Sequence, residues 1–279
     1  MIAWLMRTRI FTIFSAVLAT VMMAAVPATA KPKAEKAAEL VVKAADTVTY
    51  FSNDSAYEPL WSAADDAKAM VIIPRSLRGG FIVGASGGNA VMVARNPDGS
   101  WSEPTFFTVG SLSFGFQAGI EGSETILLVM TQRGMEHLLS TTVKLGADLS
   151  VAAGTIGAGA KAQTVDVLAF SRSRGLYGGI SLEGAVLKSR GSWNRDYYQA
   201  NVTPADIIYR EKVSQPRSQV LQKAVWALAH RDQPGAEPTM MAPVQPARVD
   251  PVTGEPLPED PVYEDDAIYG APLAPIEDN

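Results

Sequence analysis

Of the chain's 23 glycines, 20 fall between Gly79 and Gly191, interleaved with Phe, Val, Ile and Ser. Each glycine inside a helix costs about 0.5–1 kcal/mol relative to alanine, so a helical bundle is excluded for this region. In strands, glycine marks bulges, sharp bends and close backbone approach. The pattern predicts a glycine-rich antiparallel β-barrel or sandwich. Candidate strands are 80–86, 89–95, 103–109, 112–120 and 124–131, with the turn Asn96-Pro97-Asp98-Gly99 between the second and third. Further strand-like sequence covers 145–153, 159–170 and 176–188.

The region contains an internal pseudo-repeat. Residues Gly80 to Arg95 align with Gly175 to Arg190 at an offset of 95, with identities at Gly80/Gly175, Gly84/Gly179, Ser86/Ser181, Ala90/Ala185 and Arg95/Arg190. The alignment predicts two equivalent hairpins in one sheet system.

Helices flank the glycine-rich part. Ala37, Val41, Ala44, Val48 and Phe51 recur at spacings of four and three, beside a polar stripe of Lys36, Glu39, Lys43 and Asp46. This predicts an amphipathic helix over Glu35 to Phe51. A second short helix, Trp61 to Met70, is expected to run into a strand Val71-Ile72-Ile73 closed by Pro74. Arg133 to Ser140 reads as an intervening helix. Thr203-Pro204-Ala205-Asp206 carries an N-cap, a proline at the first helical position and an acid at the third. A last helix, Ser218 to Ala229, places Val220, Leu221, Ala224, Val225 and Leu228 on one side. The predicted class is α+β, closed by an N-terminal amphipathic helix and a C-terminal helix.

Charge divides the chain in three. Residues 1–30 hold two basic and no acidic side chains, residues 31–231 hold 21 basic and 18 acidic, and residues 232–279 hold one basic and 11 acidic. The first segment reads as a signal peptide: Arg7 and Arg9, an uncharged run from Ile10 to Val26, and Pro27-Ala28-Thr29-Ala30 before Lys31. The expectation is an exported protein, periplasmic or secreted and peripheral to a membrane. The last segment holds ten of the 18 prolines and is expected to be a disordered acidic tail.

Zero cysteines exclude disulfides, thiol chemistry, Cys-ligated zinc and iron–sulfur clusters. Gly84-Ala85-Ser86-Gly87-Gly88 satisfies G-x-S-x-G, with His230 as a formal base, but Asn89 to Val93 reads as a strand where a nucleophile elbow needs a helix. Gly154-Thr155-Ile156-Gly157-Ala158-Gly159 is neither a Walker loop nor a dinucleotide fingerprint. His137 has no companion ligands, and the body's charge of +3 lacks a nucleic-acid footprint. No catalytic residue, metal or cofactor is expected.

Asp66-Ala67-Lys68-Ala69-Met70-Val71-Ile72-Ile73-Pro74 with Gly79-Gly80-Phe81-Ile82-Val83-Gly84 resembles the opening of the SYLF domain. Gly115 to Gly119, Leu145 to Gly154 and Ser171 to Gly184 resemble its later motifs, in the family's order. The likeness spans residues 35–200, within an expected domain of 31–231. It implies a non-enzymatic, lipid-binding module, phosphoinositide-binding and actin-binding in eukaryotic members. The family's lipid-contacting helix corresponds to Lys33 through Phe51, where Glu39 and Asp46 interrupt the basic stripe. The expected function is binding to an anionic lipid surface through Lys33, Lys36 and Lys43, with Arg75 and Arg78 beside the glycine-rich hairpin. The alternative is a protein-interaction module that engages an envelope or host filament partner, actin-like, through the β edge or the acidic tail.

Overall fold

The computed structural model describes residues 31–80, 83–114, 119–153, 165–174 and 184–231. Residues 1–30, expected to be a leader, the Gly154 to Gly159 run, the acidic C-terminal segment and most of the second repeat copy lie outside them. The described helices are α1 (Lys33–Asn53), α2 (Glu58–Ala64), α3 (Gln132–Leu138), α4 (Gly191–Tyr198), α5 (Pro204–Ile208) and α6 (Gln219–Ala229). The strands are β1 (Ala69–Gly80), β2 (Val83–Ala94), β3 (Thr105–Phe114), β4 (Gly119–Val129), β5 (Thr142–Lys144), β6 (Val151–Ala153), β7 (Val167–Arg174) and β8 (Val186–Ser189). They form one sheet in the order β5-β8-β3-β2-β1-β4-β7-β6. All described pairs are antiparallel except β6 with β7. The class is α+β, and the curled sheet is a half-barrel with β5 and β6 at its edges.

The central strands are longer than their glycines advertise. Gly87 and Gly88 sit inside β2, where the sequence reads as two strands, and Gly110 sits inside β3. Pro74 does not end β1. The strand runs on to Gly80, and Pro74 falls where the register with both neighbours shifts, between Ile72 and Arg75 on one side and Ile73 and Ser76 on the other. A residue without an N–H is tolerated at such a bulge. The bulge presses toward β2: a Cβ at Gly88 would lie 2.5 Å from the Arg75 carbonyl oxygen. Only a glycine lets the two backbones approach that closely.

The expected helix over Trp61 to Met70 is displaced. Pro59 starts α2 earlier, the helix stops at Ala64, and Ala69 and Met70 belong to β1. Their alternation explains it: Met70 and Ile72 enter one core while Ala69, Val71 and Ile73 enter another. The expected strand 145–153 is likewise split. Gly146 has φ +84° and Asp148 accepts the Lys144 N–H at 2.7 Å, closing a turn between β5 and β6.

Two cores sandwich the proximal half of the sheet. On one face α1, α2, α4 and α6 bury Val41, Phe51, Leu60, Trp193 and Leu221 against Ile72, Val91, Phe106 and Ile126. On the other, α3 and α5 bury Leu138 and Ile207 against Val71, Met92, Phe107 and Leu127. Each large apolar side chain so buried contributes about 1.5–3 kcal/mol. The described part of the pseudo-repeat keeps the same inside-out alternation: Ala90 and Met92, and their counterparts Ala185 and Leu187, all enter the second core.

Buried polar groups stitch these layers. Asn194 accepts the Phe106 N–H at 3.0 Å, Gln222 donates to the Trp101 carbonyl at 3.0 Å, and the Thr203/Asp206 capping box forms as the sequence predicts. Glu103, 3% exposed, accepts the Gln215 N–H at 3.1 Å. Burial pushes its carboxyl above the ordinary carboxylate range, against hydrogen bonds from Ser218 and Gln215 that pull it down.

Candidate functional site

The apolar stripe of α1 is committed to the core: Ala37, Val41, Ala44, Val48 and Phe51 are fully buried. What α1 offers outward is its polar edge, and α6 lies alongside it. Between them runs an open groove of about 890 Å³. Val42 of α1 and Val220 of α6, 49% and 45% exposed, give it an apolar floor. Val220, expected on the buried side of the last helix, turns toward the groove instead, while Leu221, Val225 and Leu228 take the core. Lys43, Arg217 and Lys223 line the groove as cations, and Glu35, Glu39 and Asp46 as anions.

The anions are partly answered from within. Lys31 bonds Glu39 and lies 3.8 Å from Glu35. The Lys31 hydrogen bond holds the Glu39 carboxyl below its usual range, and Lys43 and Lys36 add to the effect.

The predicted lipid-contacting residues fall into separate places. Lys33 reaches Asp196 of α4 at 3.9 Å. Lys36 and Lys43 are exposed on α1, and Lys43 enters the groove. Arg75 and Arg78 stand on β1, paired opposite Asn89 and Ser86 respectively, on opposite faces of the sheet. Arg217 and Lys223 escaped the sequence reading because nothing in the local pattern brings them to α1. Their arrival depends on the packing of two helices far apart in the chain.

The catalytic signals find no supporting geometry among the described residues. Ser86 lies in the interior of β2 and hydrogen-bonds the Ser111 hydroxyl at 2.6 Å. His230 stacks on Trp226, 4.3 Å between rings, and its Nδ1 lies 2.9 Å from the Trp226 carbonyl oxygen. No group of three or more His, Asp or Glu among the described residues is placed to hold a metal. No helix among them is long and apolar enough to cross a membrane.

Comparison with known proteins adds a second line. Residues 110–228 match a family model described as "Ysc84: Las17-binding protein actin regulator". The human "SH3 domain-containing YSC84-like protein 1" is 32% identical over 190 residues, covering 66% of this chain and 55% of the relative. "LAS seventeen-binding protein 3" of Saccharomyces cerevisiae is 30% identical over 191 residues, covering 66% of this chain and 41% of the relative. An SH3 domain-containing protein of Schizosaccharomyces pombe is 29% identical over 198 residues, covering 68% and 45%. The chain thus spans about half the length of the curated relatives it matches. No solved structure is a significant match.

Proposed function

The chain belongs to the SYLF-domain family, the Ysc84 type, and from that premise and the helix-pair groove we propose that it is a non-enzymatic module binding an anionic lipid surface. The observation that carries the reading is the groove itself: exposed Val42 and Val220 beside Lys43, Arg217 and Lys223. Apolar side chains next to cations are what an amphiphile with a negative head requires. Lys36 and Lys33 add charge along α1, and Arg75 adds it from β1, whereas Arg78, expected to join it, stands on the reverse face of the sheet. The leader-like composition of residues 1–30 supports reading it as an exported protein that meets the membrane from that side. Each basic residue near an anionic surface is worth on the order of 1 kcal/mol, so binding is additive and salt-sensitive.

Vesicle co-sedimentation tests this. Binding to anionic vesicles should exceed binding to neutral ones and fall as salt rises. Lys43→Glu, Arg217→Glu and Lys223→Glu together should weaken it by two orders of magnitude or more, at roughly ten-fold or less per reversal. Equal sedimentation with both vesicle types at low salt would sink the reading.

A second reading, a protein-interaction module, is favoured by the family description and by the yeast relative's name, both of which mention Las17 binding. In that case the β edge or the acidic tail engages the partner. Removing residues 232–279 separates the two, since partner binding through the tail would vanish while lipid binding would persist.

A further inference from the structure

The distal halves of the four central strands leave both cores. Among residues whose side chains are described, none between Ile73 and Ala90 or between Val109 and Ile126 joins either core. Among the described residues one layer of sheet remains there, and strand pairing fixes what each face carries, because directly opposed residues share a face. On the face that α1 occupies lower down, Leu77 opposes Gly87, which opposes Gly110. Two residues farther out, Gly79 opposes Ala85, which opposes Leu112. Leu77 is 45% exposed and Leu112 72%. The reverse face instead carries Arg78, Ser86 and Ser111 in one row. This end of the sheet is therefore amphipathic across its thickness.

A cationic row borders the apolar face. One step inward from Leu77, Arg75 opposes Asn89, Asn89 opposes Thr108, and Thr108 opposes Lys188. Arg75 and Lys188 are exposed and have no ion-pair partner among the described residues. Arg190, close by, is held in place: it donates to Asn89 Oδ1 at 2.5 Å and stacks over the Trp193 ring at 3.8 Å.

The glycines of the apolar face are not there to relieve crowding. A Cβ at Gly87 would meet nothing nearer than the Val109 carbonyl oxygen at 3.8 Å, and one at Gly110 the Ser86 carbonyl oxygen at 3.6 Å. Glycine weakens a strand, so its presence without steric need points to the surface it leaves: flat backbone between two leucines.

We propose that this end of the sheet enters the interfacial layer of an anionic bilayer, with Leu77 and Leu112 among the acyl chains and Arg75 and Lys188 at the level of the phosphates. The proposal rests on the lipid reading above and gives it a second site. The layering fits. Strand rise puts Leu77 about 7 Å and Leu112 about 13 Å along the sheet from the cationic row, so with this face laid on the membrane both leucines reach the acyl boundary, within the about 5–10 Å that interfacial elements bury, while Arg78, Ser86 and Ser111 face away. The row spans three strand spacings, about 14 Å, wide enough for more than one headgroup. A second copy seated on the same face would bring two such rows of unpaired cations together, which charge complementarity opposes.

The chain has no cysteine, so single-cysteine labelling is clean. Full-length Leu112→Cys and Ser86→Cys, each carrying an environment-sensitive nitrobenzoxadiazole label, are mixed with vesicles of phosphatidylcholine alone or with phosphatidylglycerol. The label at 112 should shift to the blue and be quenched by spin-labelled acyl chains on anionic vesicles, while that at 86 should be quenched less. In co-sedimentation, Leu77→Ser with Leu112→Ser should weaken binding about ten-fold or more, and Arg75→Glu with Lys188→Glu about five-fold per residue. No binding of the unaltered chain to anionic vesicles overturns the lipid reading and this site with it. Vesicle binding that survives both double variants, with an unshifted label at 112, overturns the site alone. So does a loss of dimer in light scattering for Leu77→Ser with Leu112→Ser while vesicle binding stays intact.

Discussion

Glu103 shows how a single side chain makes the fold depend on pH. Its carboxyl is buried and titrates above its unfolded value, so the folded chain binds that proton more tightly than the unfolded chain. Its contribution favours folding below the unfolded pKa and is lost as pH rises through the raised folded value. At neutral pH it is therefore a net cost. Glu103→Gln keeps an acceptor for the Gln215 N–H and removes the charge. It should raise the melting temperature at pH 7, with the gain shrinking to nothing near pH 4; an equal gain at both values would refute the account. The sequence contains no hint of this, because Glu103 looks like any acid at the start of a strand. It is buried by Tyr198 and Gln215, which arrive from about a hundred residues away. By contrast Thr203-Pro204-Ala205-Asp206 was fully legible, since every contact in a capping box is local.

At the scale of elements, the helices with clean periodicity were readable to within a few residues, as α1, α3 and α6 show. The strands were harder. Gly87-Gly88 mimics a hairpin turn, yet pairing on both sides carries β2 straight through it. Strand propensity is decided by neighbours in space more than by the residue itself. The two adjacent glycines answer to different constraints, and substitution separates them. Gly88→Ala places a Cβ 2.5 Å from backbone and should cost about 1–3 kcal/mol in urea unfolding. Gly87→Ala meets only ordinary contacts and should be neutral or stabilise by up to about 1 kcal/mol. Equal effects at the two positions would mean that the bulge at Pro74 does not press on β2.

The whole molecule combines a body of 21 basic and 18 acidic side chains with a terminal segment of one basic and 11 acidic. Deleting residues 232–279 removes ten net negative charges, so binding to anionic vesicles at low salt should strengthen, and the gain should fade as salt screens it. Weaker binding after deletion would assign the tail a direct role in contact. The family was legible from motifs in order along the chain, whereas the groove needed α6 to fold back onto α1. The proximal strands are buried on both faces and the described distal residues join neither core, which has a consequence for exchange of backbone amides. Val91 and Ser86 lie five residues apart on β2, yet the first is sealed between layers and the second is not. The Val91 amide should exchange only by global unfolding, and the Ser86 amide by local opening at far lower free energy. One continuous hydrogen-bond ladder thus holds two stabilities, so changes at its outer end can retune what the protein touches with little penalty to whether it folds.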